Sequence, residues 1–484
     1  MPHKNKIAIR WLIVVILLTQ LACQTVMEFL PISETPATDE GSEATAEVTD
    51  TPTAIPPTPT PAPTPTPAPP GLACAGSYGY GVTCIHEAEW LTFTAEGSGL
   101  NSDQIQAITT CPDGRLVIAN PQGIDIYDGE SWRAISNNWG YGSVEAVACS
   151  AAGEIWVGHF GGVTRWAAGE WTTYDFHEFL TTDPDAGELV EDVVIDAQGV
   201  VWVVTSNSLA RFSEGEWKLY EEGRGFKELY FLEKIAFDGE GRPWIAHSQG
   251  LLTFDGVFWE DQAFPSYVTP TSIAVDHHGQ VWVGTLTDGL HVFDGQTWRS
   301  YQQQSSDLSS NRIAALAVDG QNRIWVGTDW GLNVFDGEMW ETYWMSNAGV
   351  LSNQIDALGI EQGGPRLPKP VAKAPGAISG TLTSAAGEIL PQTPVELCVG
   401  YIYRDYAETS LCEEKPFMRS TETDAQGAFA FEDIPPGRYM LTAHPGDQWY
   451  LLLEENNFTT RWFTVQSEAT TDLGAVALPP PEEE

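Results

Sequence analysis

Along the middle of the chain, apolar and polar residues alternate in short runs broken by Gly, Asp and Asn. Between residues 313 and 343 four such runs follow one another: Ile313 to Val318, Ile324 to Gly327, Leu332 to Phe335 and Trp340 to Tyr343. A period of two is the spacing of a strand with one face buried, so each run predicts a short β-strand. Breaks between first and second runs read D-x-x-G, as in Asp196 to Gly199, Asp238 to Gly241 and Asp276 to Gly279. In the last unit Asn322 replaces the Gly, and Asn tolerates the left-handed backbone such a turn needs. Breaks between third and fourth runs carry Asp-Gly, at Asp128-Gly129, Asp255-Gly256, Asp294-Gly295 and Asp336-Gly337. That pair is a strong hairpin signal. The predicted unit is therefore four antiparallel strands joined by tight turns.

The unit repeats. Aligned on the Trp of the fourth strand, Trp90, Trp132, Trp171, Trp217, Trp259, Trp298 and Trp340 stand 39 to 46 residues apart. A second Trp marks the second strand at Trp156, Trp202, Trp244, Trp282 and Trp325. Four-stranded units at a period near forty are the blades of a propeller, and the indoles are expected to fill the seams between blades. Two fragments lie at the ends of the array. Residues 81–93 read as third and fourth strands, while residues 354–364 read as a first strand and its turn. Joined, they make a seventh blade whose innermost strand comes from the C-terminal side and removes the exposed sheet edges. Its second strand comes from residues 72–77 or 366–371.

The phrase I-x-x-[ILV]-x-x-D-x-x-G-x-[IV]-W-V-G-T-x-x-G-L-x-x-F-D-G resembles the two-component-regulator propeller repeat, across residues 72–364 and most clearly 271–343. The resemblance implies an extracytoplasmic sensing or docking surface, often for glycans. Beyond a Pro-rich linker at residues 365–376, period-two alternation continues to Leu478. Ile378, Gly380, Asp424, Gly427, Phe429, Phe431, Pro436, Gly437 and Tyr439 resemble the carboxypeptidase-regulatory-like β-sandwich, which implies a stalk or adhesion module over residues 377–478. The predicted fold class is all-β, a seven-bladed β-propeller followed by a small β-sandwich domain, with an acidic tail at residues 479–484.

Composition sets the surroundings. A formal net charge of −43, from 23 Lys and Arg against 66 Asp and Glu, argues against nucleic acid or an anionic membrane as partners. At the start, His3, Lys4, Lys6 and Arg10 precede the apolar run Trp11 to Leu18 and the tetrad Gln20-Leu21-Ala22-Cys23. Residues 1–23 thus resemble a bacterial lipoprotein signal, which implies lipidation at Cys23 and an exported, membrane-anchored protein facing outward. Residues 24–71 are Thr- and Pro-rich, unable to bury a core, and predict an extended tether. Six further cysteines fit an oxidising compartment, with Cys74–Cys84, Cys111–Cys149 and Cys398–Cys412 the preferred pairs.

The chemistry is expected on one face. In a propeller, second-to-third and fourth-to-first connections share a rim, and here the former vary as NPQG, HFGG, TSNS, HSQG, TLTDG and TDWG. The candidate ligand-binding residues are Asn120, Gln122, His159, Phe160, Asn207, His247, Gln249, Asp288, Asp329 and Trp330, with Tyr78 or Tyr80 from the seventh blade. The expected ligand is a glycan, a peptide or a partner surface protein, bound noncovalently by a monomer with no cofactor and no metal. His159 and His247 occupy the same slot in two blades, which leaves open a propeller lyase or hydrolase resembling streptogramin lyase. A purely structural surface protein is the remaining alternative. No G-x-S-x-G, HExxH or phosphate-loop motif appears.

Overall fold

The computed structural model describes residues 71–136, 144–176, 189–206, 208–220, 231–264, 268–361, 363–399, 406–413, 415–453 and 460–479. The expectations for Cys23, the signal, most of the tether, Asn207 and the acidic tail lie outside these residues. Among them stand seven four-stranded antiparallel sheets and no α-helix. Blades 1 to 6 begin with the strands Ala107–Thr110, Val144–Cys149, Val190–Ile195, Leu232–Phe237, Pro270–Val275 and Ile313–Val318, and each continues through its next three strands in chain order. Blade 7 takes its innermost strand, Ala357–Ile360, from the far end of the array and pairs it with Ala73–Ser77. Residues 72–77 therefore supply the second strand, not residues 366–371. The first strand of every blade neighbours that of the next, around to Ala357–Ile360 beside Ala107–Thr110, so the ring is closed.

Local chemistry explains the turns. In blades 3 to 6 the Asp of D-x-x-G accepts the N–H groups two and four residues on with one carboxylate oxygen. Its other oxygen accepts the indole N–H of the second-strand Trp: Trp202 to Asp196 at 2.9 Å, Trp244 to Asp238 at 3.2 Å, Trp282 to Asp276 at 3.0 Å and Trp325 to Asp319 at 2.9 Å. The two repeat signals are thus one hydrogen-bonded unit. At the same end of the blades the Asp-Gly pairs open four-residue loops, in which Asp Oδ1 accepts the N–H groups two and three residues on. The two-residue turns fall elsewhere, at Glu87-Ala88, Ala168-Gly169 and Glu214-Gly215, all with positive φ.

Packing between blades follows from the indoles and from one glycine. Trp156 packs with Val190 and Val193 of the next blade, and Trp325 with Ala73 and Ala75 of blade 7. Trp171 and Trp298 donate across their seams to Ser136 O and Ala263 O, each at 3.1 Å. In the recurring W-V-G, the Gly is needed because the neighbouring blade lies against it: a Cβ at Gly284 would come within 2.5 Å of Ile313 Cγ2. The disulfide Cys111–Cys149 ties the first strands of blades 1 and 2, Cys74–Cys84 crosses two strands of blade 7, and Cys398–Cys412 lies beyond the propeller.

The C-terminal residues form a three-stranded sheet and a six-stranded sheet. Phe429, Phe431, Ile378 and Leu382 of the first share one buried cluster with Val395, Leu397, Tyr439 and Leu441 of the second, which is the packing of a sandwich. The linker runs over blade 6 as a strap. Pro365 O accepts from Arg323 Nη2, Pro368 O accepts from the Tyr343 hydroxyl, and Val371 N donates to Asn347 O.

Candidate functional site

The last residue of the second strand is polar in all seven blades: Ser77, Asn120, His159, Thr205, His247, Thr285 and Thr328. All seven are buried, and they form a ring just beneath the rim. Three of the sequence candidates belong to this ring. Asn120 donates to Asp125 Oδ2 at 2.8 Å and accepts Gln122 N at 2.9 Å. Burial pushes the Asp125 carboxyl up to about 6, against the Asn101 and Asn120 donors that favour its charge.

The histidines are occupied inside their own blades. His159 Nδ1 lies 2.9 Å from Phe160 O, which can only accept, so this nitrogen carries the proton and Nε2 accepts from Thr164 Oγ1 at 2.9 Å. Burial holds its pKa below the ordinary value. His247 takes the opposite tautomer, with Nδ1 accepting Gln249 N at 3.3 Å and Nε2 facing Asp261 Oδ1 at 3.3 Å. Both rings point to the third and fourth strands of their sheets and not to a common funnel, which corrects the expectation of a shared histidine pair. A third buried histidine, His291, bonds Asp288 Oδ2 through Nε2 at 3.1 Å and Ser300 Oγ through Nδ1 at 2.8 Å. Asp288 also accepts Gln302 Nε2 at 2.7 Å, so this candidate serves to order its own turn.

Above the ring, other candidates stand in solvent. Gln122 and Gln249 are exposed, Phe160 is 56% exposed and Tyr78 50% exposed. Phe231, 60% exposed, joins them: its carbonyl accepts Ser248 N from the second-to-third turn of blade 4. The sequence places Phe231 at the end of a long fourth-to-first connection over this rim, outside the aligned slot from which the ligand residues are drawn. Asp329 and Trp330 belong elsewhere. Trp330 packs on the sandwich core, its ring 5.8 Å from Phe417 and 6.0 Å from Tyr439, and Asp329 faces Lys415. Tyr80 lies under Arg438, the guanidinium 3.6 Å from its ring centre.

The axis holds a channel of about 480 Å³. Blades 7, 1, 2 and 3 line it with Asp356, Gln106, Glu145 and Asp192, blade 4 with Lys234, and blades 5 and 6 with Thr271 and Ala314. In blades 2 to 6 the first-strand register skips one residue near its start, at Glu145, Glu191, Glu233, Thr271 and Ala314. Such a bulge re-aims a side chain out of the pleat. Burial, with the charge of Glu191 beside it, lifts Glu233 to about 7. Burial also raises Asp192, whose oxygens accept Ile235 N and Val193 N. Lys234 donates to the Glu191 carbonyl between them. No group of three His, Cys, Asp or Glu among the described residues has the arrangement of a metal site.

The rim also repeats in the fourth-to-first connections. Ser102, Ser310 and Ser352 each accept the N–H two residues on, while Asp103, Asn311 and Asn353 each accept a backbone N–H eight residues back. The signal S-[DN]-x-I was present in the sequence at all three places.

Residues 307–330, which include one of these connections, match the two component regulator propeller family. No curated protein matches the chain. Among solved structures, the extracellular domain of the hybrid two component system BT4673 from B. thetaiotaomicron is similar over 56% of this chain and 38% of its own, at 17% identity and TM-score 0.44. PorZ, a bacterial surface component of the type-IX secretion system of Porphyromonas gingivalis, is similar over 80% of this chain and 62% of its own, at 13% identity and TM-score 0.44. Virginiamycin B lyase from Staphylococcus aureus is similar over 49% of this chain and 83% of its own, at 13% identity and TM-score 0.43.

Proposed function

We propose that this protein is an exported binding or sensing module whose propeller holds a glycan, a peptide or a partner protein noncovalently on its upper rim, over blades 1 to 5. The observation that carries this reading is the contrast between two layers. The buried polar ring is consumed in holding the turns, whereas Phe160, Phe231, Gln122 and Gln249 stand above it in solvent, around the mouth of an acidic channel. Exposed ring faces with amides and carboxylates nearby suit a polar ligand with apolar faces, such as a sugar or an extended peptide. Three disulfides favour an oxidising compartment, and the match at residues 307–330 is to the two component regulator propeller. Anchoring through Cys23 at the cell surface belongs to the same reading, as do the monomer and the carboxypeptidase-regulatory-like identity of the sandwich.

Glycan and peptide arrays probed with the purified chain and with a Phe160→Ala, Phe231→Ala, Gln249→Ala variant test it. The parent is expected to give discrete hits that the variant loses by tenfold or more in titration. Hits of equal strength in both would remove the rim as the binding surface.

A further inference from the structure

The sandwich sits on the same rim as the proposed ligand surface, over blades 6 and 7. Trp330, in the second-to-third turn of blade 6, inserts its ring against Phe417 and Tyr439, which themselves stack at 5.2 Å. Over blade 7, Arg438 lies between Tyr80 at 3.6 Å and Trp462 at 4.8 Å. Between the two, Gly437 approaches the connection leading into blade 7 so closely that a Cβ there would stand 2.9 Å from Asn353 Nδ2. Two of the seven blades are therefore roofed by the same chain.

The contact has the chemistry of a separable one. Its main apolar element is one indole, one cation, Arg438, is held by ring faces, and a second, Lys415, faces Asp329. Among the described residues Arg438 makes no ion pair, and its Nε has no hydrogen-bond partner. The Asp356 carboxylate of blade 7 acts on it only from beyond ion-pair distance, so its desolvation is partly offset and gives back much of what the stacking contributes. The strap is different. It is bonded to blade 6 as far as Lys373 N on Ser346 O, and the sandwich takes hold at the next residues, where Ser467 Oγ donates to Ala374 O and Glu468 N to Pro375 O, so the link is the single step from Lys373 to Ala374. A pivot that short allows the sandwich to tilt but not to depart.

We propose that the C-terminal sandwich is a hinged cover on the propeller, docked over blades 6 and 7 through Trp330 and Arg438, which a ligand spanning the whole rim has to displace. In the docked state an outside molecule reaches the rim of blades 1 to 5 and, on blade 7, the edge at Tyr78. Displacement adds Tyr80, Asp329 and Trp330 to the surface and turns binding into a movement about residues 373–374. The docked contact stands without any assumption about ligand, and its test uses none.

Hydrogen exchange of the full chain, compared with a Trp330→Ala, Arg438→Ala double variant, reads the cover directly. Amides of turns 77–81 and 328–331 are expected to exchange at least tenfold faster in the variant, with turns 119–123 and 285–289 and strand Gly437–Ala443 unchanged. Unchanged exchange at the two covered turns, or loss of protection throughout blades 6 and 7, overturns the proposal. Should the double variant fail to fold, Asn353→Cys with Gly437→Cys replaces it. The pair is expected to cross-link on oxidation and to slow exchange at turn 77–81, and the absence of a cross-link is equally decisive against a docked cover.

Discussion

Trp325 donates its indole N–H to Asp319 Oδ2 at 2.9 Å, across the first turn of blade 6. Asp319 is fully buried and also accepts Gln321 N, Arg323 N and the Arg323 guanidinium. One carboxylate thereby closes the turn, orients the seam-filling indole and neutralises a buried cation. Asp319→Ala leaves those donors unmatched, and the expected loss is about 3–5 kcal/mol in urea unfolding. A loss under 1 kcal/mol would show that the aspartate is ornamental.

Blade 2 lacks this device. Ser150 stands where blades 3 to 6 have Asp, and Trp156 Nε1, six residues on, is buried with no hydrogen-bond partner among the described residues. Ser150→Asp supplies the missing acceptor, and it is expected to stabilise the protein by about 1 kcal/mol, seen as a higher Tm. A lower Tm would mean that burying the carboxylate outweighs the bond.

Seam packing makes a steric prediction. Gly284→Ala places a methyl 2.4 Å from Ser272 Oγ and 2.5 Å from Ile313 Cγ2, between blades 5 and 6. Overpacking of that kind costs about 1–3 kcal/mol. Exposed Gly239, with nothing near its Cβ position, is the control, and equal effects of Ala at both would contradict the seam geometry.

The pH dependence has two opposing parts. The exposed turn carboxylates of Asp128, Asp255, Asp294 and Asp336 are held below the ordinary range by backbone N–H donors. Their contribution is present above an unfolded pKa of about 4 and fades as pH falls through their lower folded values. Asp125 runs the other way. Its folded pKa of about 6 exceeds the unfolded value of 3.8, so the folded state binds more protons and stability drops as pH rises from about 4 to 6. Asp125→Asn keeps an oxygen for Asn101 N and Asn120, and is expected to flatten that part of the urea-midpoint profile. An unchanged slope between pH 4 and 6 would exclude Asp125 as its source.

Much of the architecture was legible in the sequence because its signals are local. D-x-x-G, D-G and the Trp spacing all lie within one blade, and closure showed as two half-blades at the ends of the array. What the blades share with distant parts was hidden. Trp330 looked like a free rim aromatic, but its partners Phe417 and Tyr439 lie some 90 to 110 residues on, in another fold unit. His159 and His247 were found in the right slot, yet a slot gives depth and not direction, and both turn inward to Thr164 and Asp261. The axial acids escaped notice because a bulge at Glu145 or Glu191 leaves no mark in an alternating strand.

The central claim is that ligand meets the rim over blades 1 to 5, above a polar ring that serves only the fold. A hydrogen-exchange footprint of the chain saturated with its strongest array hit tests this most directly. Protection is expected at residues 121–123, 160–162, 231–233 and 248–250, with the opposite loops 128–131, 255–258, 294–297 and 336–339 unaffected. Protection confined to those opposite loops, with the rim exchanging as in the free protein, would contradict it.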